Sequence, residues 1–263
     1  METAASATVQ TVFNRYEKKY LLTKPVYEEL RRRLEPYMQV DQYGLTTICN
    51  IYYDTANHEL IRRSIEQPVY KEKLRLRSYG VPTLESTAFL EIKKKYERIV
   101  NKRRVTMTLA QAYDYVERGI RPPGQRPAAE EQILREIDFF LERYPLQRGL
   151  YLCYDRIAMF QTDNPAFRVT FDTNIRGRRT DMGLENGAYG MKLLPDDYYL
   201  METKILDASP LWFTRILSEL SIYTTSFSKY GNIYKMERGA FDVEALMRHR
   251  LENWEKTGGF VNV

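Results

Sequence analysis

The sequence predicts an α+β fold in which a sheet of roughly eight strands closes on itself and carries helices on its outer surface. Three observations lead there. Strand-like and helix-like runs are interspersed without strict alternation, which argues against a doubly wound parallel sheet. Residues of one parity share a face in a strand, and several strands sort into an apolar face and an Arg- and Lys-rich face. The helices carry apolar stripes that need an apolar partner. If they pack on the apolar outside of a closed sheet, the charged faces point inward.

The elements follow in order. Residues 1–11 are small and polar and read as a flexible tail, leaving 12–263 as one domain. Phe13 to Leu22 reads as a strand; Thr23 and Pro25 open a helix with Val26, Tyr27, Leu30 and Leu34 on one face, and Pro36 closes it. Thr46 to Tyr53 is a strand ending in an Asp54-Thr55 turn. Val69 to Tyr79, Ala88 to Tyr96 and Arg98 to Met107 are three further strands. Thr108 with Gln111 forms a capping box for a helix that stops at Gly119. After the linker RPPGQRPA, apolar residues from Ile133 to Tyr144 recur at helical spacing. Leu150 to Phe160 and Phe167 to Arg176 are strands around a turn at Asp163 to Pro165, 177–197 is loop-rich, and Tyr198 to Ile205 is the last strand. Ser209-Pro210 opens a helix, Ser226 to Tyr234 is polar and aromatic, and a final helix is expected from Asp242 to about Trp254.

Composition narrows the function. The chain has 263 residues, 43% hydrophobic and 29% charged, so it is neither disordered nor a helical membrane protein. The tail lacks a signal-peptide core. Its two Cys, Cys49 and Cys153, read as buried free thiols, and its two His make a His-based zinc site or a Ser-His-Asp triad a poor fit. No phosphate-loop or dinucleotide glycine motif occurs. The net charge of +5 understates the local bias: residues 62–104 hold 13 Lys and Arg against 5 Glu.

Parity sorting sharpens that bias. One face carries Lys71, Lys73, Arg75 and Arg77; the next strand carries Phe89, Glu91, Lys93 and Lys95. Arg98, Lys102 and Arg104 share a face, as do Leu152, Tyr154 and Arg156. Arg168, Thr170, Asp172, Asn174 and Arg176 form another, with Arg15, Glu17 and Lys19 on the first strand and Glu202 with Lys204 on the last. Ordinary solvated faces explain any one strand, and Lys71, Lys73 and Lys94 are read that way. The repetition over at least six strands is better explained by a barrel interior lined with cations. Unpaired buried charge is costly, so such a lining calls for an anion with many charges along its length, such as a polyphosphate. Phosphoryl chemistry adds a divalent cation, with Glu202 as its best ligand and Glu91 and Glu17 as second choices.

These residues also carry a resemblance. RYEKKYLL, YYDT, RLR, EIKKK, KRR, YDR, METK and SKYG occur in the order found in the VTC domain, the catalytic domain of the vacuolar transporter chaperone complex. The sequence resembles that family, a branch of the CYTH-like triphosphate tunnel metalloenzymes, over about residues 12 to 236, in a stand-alone form without room for a regulatory SPX domain. The resemblance implies an antiparallel eight-stranded β-barrel tunnel with helices outside. It implies a polyphosphate polymerase that transfers the terminal phosphate of ATP to a growing chain. Arg75, Arg77, Lys93, Arg156 and Arg168 would bind nucleotide phosphates; Lys19, Lys102, Arg104, Lys204 and Lys229 would line the tunnel, with Tyr154 and Ser228 in support. Glu202 would hold Mn2+ or Mg2+. The first strand reads Arg15-x-Glu17-x-Lys19 where related triphosphatases carry Glu-x-Glu-x-Lys, which favours one metal and a long polyanion. ATP and polyphosphate are the expected partners, with a membrane protein for product translocation and a cytoplasmic location. The alternatives are a triphosphatase of the same fold and a non-catalytic polyphosphate or nucleotide sensor; RNA binding is least favoured, because the many Tyr fall on both strand faces and in helices.

Overall fold

The computed structural model describes residues 16–97, 99–205 and 208–246. The strands are β1 (Tyr16–Thr23), β2 (Met38–Thr55), β3 (Tyr70–Tyr79), β4 (Thr87–Tyr96), β5 (Ile99–Thr108), β6 (Leu146–Gln161), β7 (Arg168–Arg178), the two-residue β8 (Met191–Lys192) and β9 (Tyr198–Ile205). The helices are α1 (Lys24–Leu34), α2 (Glu59–Ile65), α3 (Leu109–Arg118), α4 (Ala128–Arg143), α5 (Leu211–Glu219) and α6 (Lys229–Met236). All ladders are antiparallel, in the order β1-β9-β7-β6-β2-β3-β4-β5, with β8 attached to β7. The α+β class and the eight principal strands match the expectation, and β2 is longer than expected. The helix foreseen from Asp242 to Trp254 lies largely outside the described residues.

Two apolar shells dictate the architecture. Leu74, Leu76, Leu90, Ile92 and Val105 on the outer faces of β3, β4 and β5 pack on Ala112 and Tyr115 of α3 and on Leu134, Ile137 and Phe140 of α4. Tyr20 and Leu22 of β1, Val169 and Phe171 of β7 and Met201 of β9 pack on Leu30 and Leu34 of α1 and on Phe213 and Ile216 of α5. Each buried Leu or Ile contributes roughly 1.5–3 kcal/mol of hydrophobic stabilisation, so turning the charged faces outward would forfeit both shells. The capping box forms as expected, Thr108 accepting from the Gln111 amide and Gly119 closing α3 at φ 72°.

The sheet curls strongly but does not close. Among the described residues no ladder joins β5 back to β1. The curl still brings distant strands face to face: Glu17 on β1 lies within electrostatic reach of Lys93 on β4, and Lys19 on β1 of Lys73 on β3. The closed barrel expected from the sequence is therefore corrected to an open curl. β1 and β5 are the free edges of the curl, and Lys102 and Arg104 on β5 are exposed there.

A third apolar cluster lies inside the curl, which the parity analysis did not foresee. Leu21, Ile48, Leu150, Leu152, Tyr154, Ile175 and Leu200 surround Phe227 and the α6 residues Tyr230, Ile233 and Tyr234. Helix α6 thus plugs one end of the tunnel. Ile175 reaches this face through a bulge: Asn174, at φ 50°, and Ile175 together oppose Tyr154, so alternation reverses beyond Thr173. Ile175 was expected on the outer face and Arg176 on the inner; the bulge exchanges them, and Arg176 pairs with Asp155 outside.

Candidate functional site: a cationic tunnel

The inner faces converge as charge clusters. Arg75 grips Glu91 through Nε and Nη2, and Lys102 on β5 reaches the other oxygen of Glu91 at 2.6 Å. Glu91 is 2% exposed. Burial pushes its carboxyl up, but Arg75, Arg77 and Lys102 outweigh this and hold it far below the usual range. On the opposite wall, Arg156 binds Asp172 through both nitrogens, at 2.5 and 2.7 Å. Lys229, projecting from α6, donates to Asp172 at 2.6 Å and to Glu202 at 2.7 Å. Burial pushes Glu202 up; Lys229, Lys19 and Arg156 reverse the effect and keep it ionised.

Two phenols complete the chamber. Arg75 donates through Nη1 to the Tyr52 hydroxyl at 3.1 Å, and Arg77 through Nη2 to the Tyr154 hydroxyl at 3.2 Å. Arg77 Nε is held by Asn50 at 2.9 Å. Both guanidinium groups are thereby fixed by side chains of the protein itself. Burial raises the Tyr52 phenol, yet Arg75, Lys73 and Arg77 outweigh it and bring it down to about 8. Lys73 is also lowered to about 8, first by burial and then by Lys93, Lys71 and Lys19.

Most of the residues singled out from the sequence therefore meet. Arg75, Arg77, Arg156, Tyr154, Glu202 and Lys229 share the chamber with Lys19, which donates to the Phe227 carbonyl at 2.9 Å. Lys93 lines the curl opposite Glu17, Lys102 sits on Glu91, Lys204 faces the Glu17 side and Arg104 lies over the Phe89 ring. Two residues stand apart. Arg168 is exposed at the rim and donates to the Pro165 carbonyl. Ser228 is exposed and caps α6, accepting from the Gly231 amide at 3.1 Å. Two solvated readings are also corrected: Lys73 belongs to the chamber, and Lys94 is bonded to Glu136 of α4 at 3.1 Å. Parity analysis missed Tyr52 and Asn50, because β2 reads as a polar-apolar mixture; their shared parity was the one signal available.

A family model for the VTC domain matches residues 14–237. The chain belongs to the VTC-domain family. No curated protein matches it significantly. The crystal structure of a candidate adenylate cyclase from Bacillus halodurans aligns with this VTC domain at a TM-score of 0.52 and 16% identity, over 83% of this chain and 96% of that one. That likeness shows the triphosphate tunnel fold. A candidate adenylyl cyclase from Hippeastrum with a dominant triphosphatase activity aligns at a TM-score of 0.46 and 14% identity, over 86% of this chain and 97% of that one.

The VTC domain's carboxylates can be tested for a divalent cation. Among the described residues no three His, Cys, Asp or Glu side chains gather into a closed cage. Asp172 is saturated by Arg156 and Lys229, and Glu91 by Arg75 and Lys102. Glu17 and Glu202 are different. Among the described residues Glu17 pairs only with the Lys19 ammonium, at 3.5 Å, and keeps a third of its side chain exposed; Glu202 gives Oε1 to Lys229 at 2.7 Å with Lys19 at 3.7 Å, and its Oε2 meets only Arg156, at 3.6 Å. Mg2+ and similar ions accept one or two carboxylates completed by water and substrate phosphate, so this pair fits, with Glu202 also held by Lys229.

Proposed function

We propose that this VTC domain is a metal-dependent phosphotransferase that lengthens inorganic polyphosphate with the terminal phosphate of ATP. One observation carries the reading. Among the described residues, Lys73, Arg77, Lys93, Lys95, Arg104 and Lys204 face the curl with no carboxylate within ion-pair distance. A lining with this many cations outside direct ion pairs suits a chain of phosphates better than one small anion.

The chain's own residues perform three tasks. Arg75, Arg77 and Arg156 hold non-bridging phosphate oxygens with planar forks. The track of lysines keeps the acceptor chain in line with the donor, so a terminal oxygen of the chain attacks the γ-phosphorus while its bond to the bridging oxygen of ADP breaks. The ammonium and guanidinium groups offset charge on the transferring oxygens. Mn2+ or Mg2+ bound by Glu202 and Glu17 would supply further charge neutralisation. The same proposal includes a cytoplasmic location and a membrane-protein partner for translocating the product, which cell fractionation and co-purification test.

Incubation with ATP and Mn2+, followed by gel detection of polyphosphate, tests the activity. A ladder of long chains is expected; ADP release with no polymer would sink the reading. A second reading, hydrolysis of a short triphosphate, is favoured by α6, since a plugged tunnel suits a short ligand. It predicts phosphate release independent of chain length.

A further inference from the structure

Tyr52 occupies a distinctive place in the chamber. It lies on the inner face of β2, opposite Arg75 in the β2–β3 ladder. Its ring meets Tyr230 of the plug helix, with centroids 5.0 Å apart, and the Arg75 guanidinium lies 5.6 Å from its ring centre. It therefore stands where the cationic chamber ends and the plug begins. Its hydroxyl oxygen accepts from Arg75. That contact uses a lone pair and leaves the O–H proton to be donated elsewhere. Among the described residues no acceptor takes it. Asp54, the nearest carboxylate along the strand, is engaged by the Tyr230 hydroxyl and by the amides of Thr55, Leu60 and Ile61.

We propose that the Tyr52 hydroxyl is a phosphate-oxygen donor at the inner end of the tunnel, and that it holds the terminal phosphate of a bound chain against the plug together with Arg75. The inference rests on the tunnel binding phosphate chains, but not on any turnover. Arg75 orients the phenol and shares the same phosphate, so the site binds a terminal, doubly contacted phosphate in preference to a monoanion.

The groups facing Tyr52 are Arg75, Lys73 and Arg77 from β3 and Tyr230 from α6, with Glu91 of β4 and Tyr154 of β6 acting on Arg75. Their net charge is cationic, and it favours the phenolate in the free protein. A bound phosphate reverses that preference, because only the neutral phenol can donate to it.

The test uses the full chain and inorganic triphosphate without metal. Calorimetric titration at pH 7 should show Tyr52→Phe binding triphosphate about ten-fold more weakly than wild type, the loss of one charge-assisted hydrogen bond. Orthophosphate binding should change less. A second measurement needs only folded wild type as the reacting species. The tyrosinate absorbance near 295 nm, assigned by its loss in Tyr52→Phe, should move to higher pH when triphosphate is added. Equal affinity of the two proteins, or a Tyr52 titration that triphosphate does not move, would overturn the proposal. Wild type that fails to bind triphosphate at all would instead overturn the polyphosphate reading on which it stands.

Discussion

Individual side chains in this tunnel are held by partners as much as they are offered to ligands. Lys229 is the clearest example. It is nearly fully buried and bonded to both Asp172 and Glu202, and the attraction of those carboxylates outweighs burial and raises its ammonium above the usual lysine value. Lys229→Met should cost about 3 kcal/mol of stability, because removing one partner of a buried ion cluster leaves the others uncompensated. Urea denaturation measures this; a change below about 1 kcal/mol would mean that Lys229 is dispensable to the fold. Arg178 shows the same logic outside the tunnel. Its guanidinium donates to the carbonyls of Asp181, Gly183, Gly187 and Tyr189 and stacks on Tyr151, which ties down the loop before β8.

At the scale of elements, the decisive feature is α6. Its docking depends on Gly177 of β7, where an added Cβ would lie 2.5 Å from Ile233 Cδ1 and 3.4 Å from Leu150 Cδ1. Ile233 is 1% exposed and has nowhere to retreat. Gly177→Val should therefore overpack the plug, at about 1–3 kcal/mol. The expected outcome is a lower Tm and early proteolytic cleavage within 228–236, ahead of the sheet. Cleavage that begins in the strands would contradict the assignment of α6 as a separately docked plug. The plug is otherwise latched by the Tyr230 hydroxyl on Asp54 and by Arg179 on Glu237. Asp54 in turn caps α2, so plug and α2 share one buried carboxylate.

For the molecule as a whole, the lining sets the pH dependence of stability. Unfolded Lys and Tyr titrate near 10.4 and 10, whereas folded Lys73 and Tyr52 both titrate at about 8. Between those values the unfolded chain binds more protons than the folded one. The stability of the free protein should therefore rise as pH increases from about 8 to 10. The carboxylates act at the other end. Glu91 and Glu202 are held below their unfolded values, so their contribution is present above about pH 4.3 and is lost as pH falls through their folded values. Urea midpoints measured from pH 3 to 10 check both limbs. A flat alkaline limb would show that Lys73 and Tyr52 are not perturbed in the folded protein.

The sequence by itself determined the fold class, the strand count and the cationic character of one strand face. It did so because parity and helical spacing are local properties, and because Arg75, Arg77, Lys93, Arg156 and Glu202 fall on the right parity in uninterrupted strands. Tertiary structure decided the rest. Only the fold could show that Asn174 forms a bulge that turns Ile175 inward, since a one-residue shift leaves no mark in the pattern. Ser228 caps a helix and Arg168 stands at the rim because α6 and the 161–168 turn place them there, whatever their motifs suggest. Tyr52 gained its position from Arg75, a neighbour 23 residues away that reaches it only through the β2–β3 ladder. Periodicity fixes which face a residue takes; which charges share that face, and what closes its end, depends on long-range packing that no local pattern encodes.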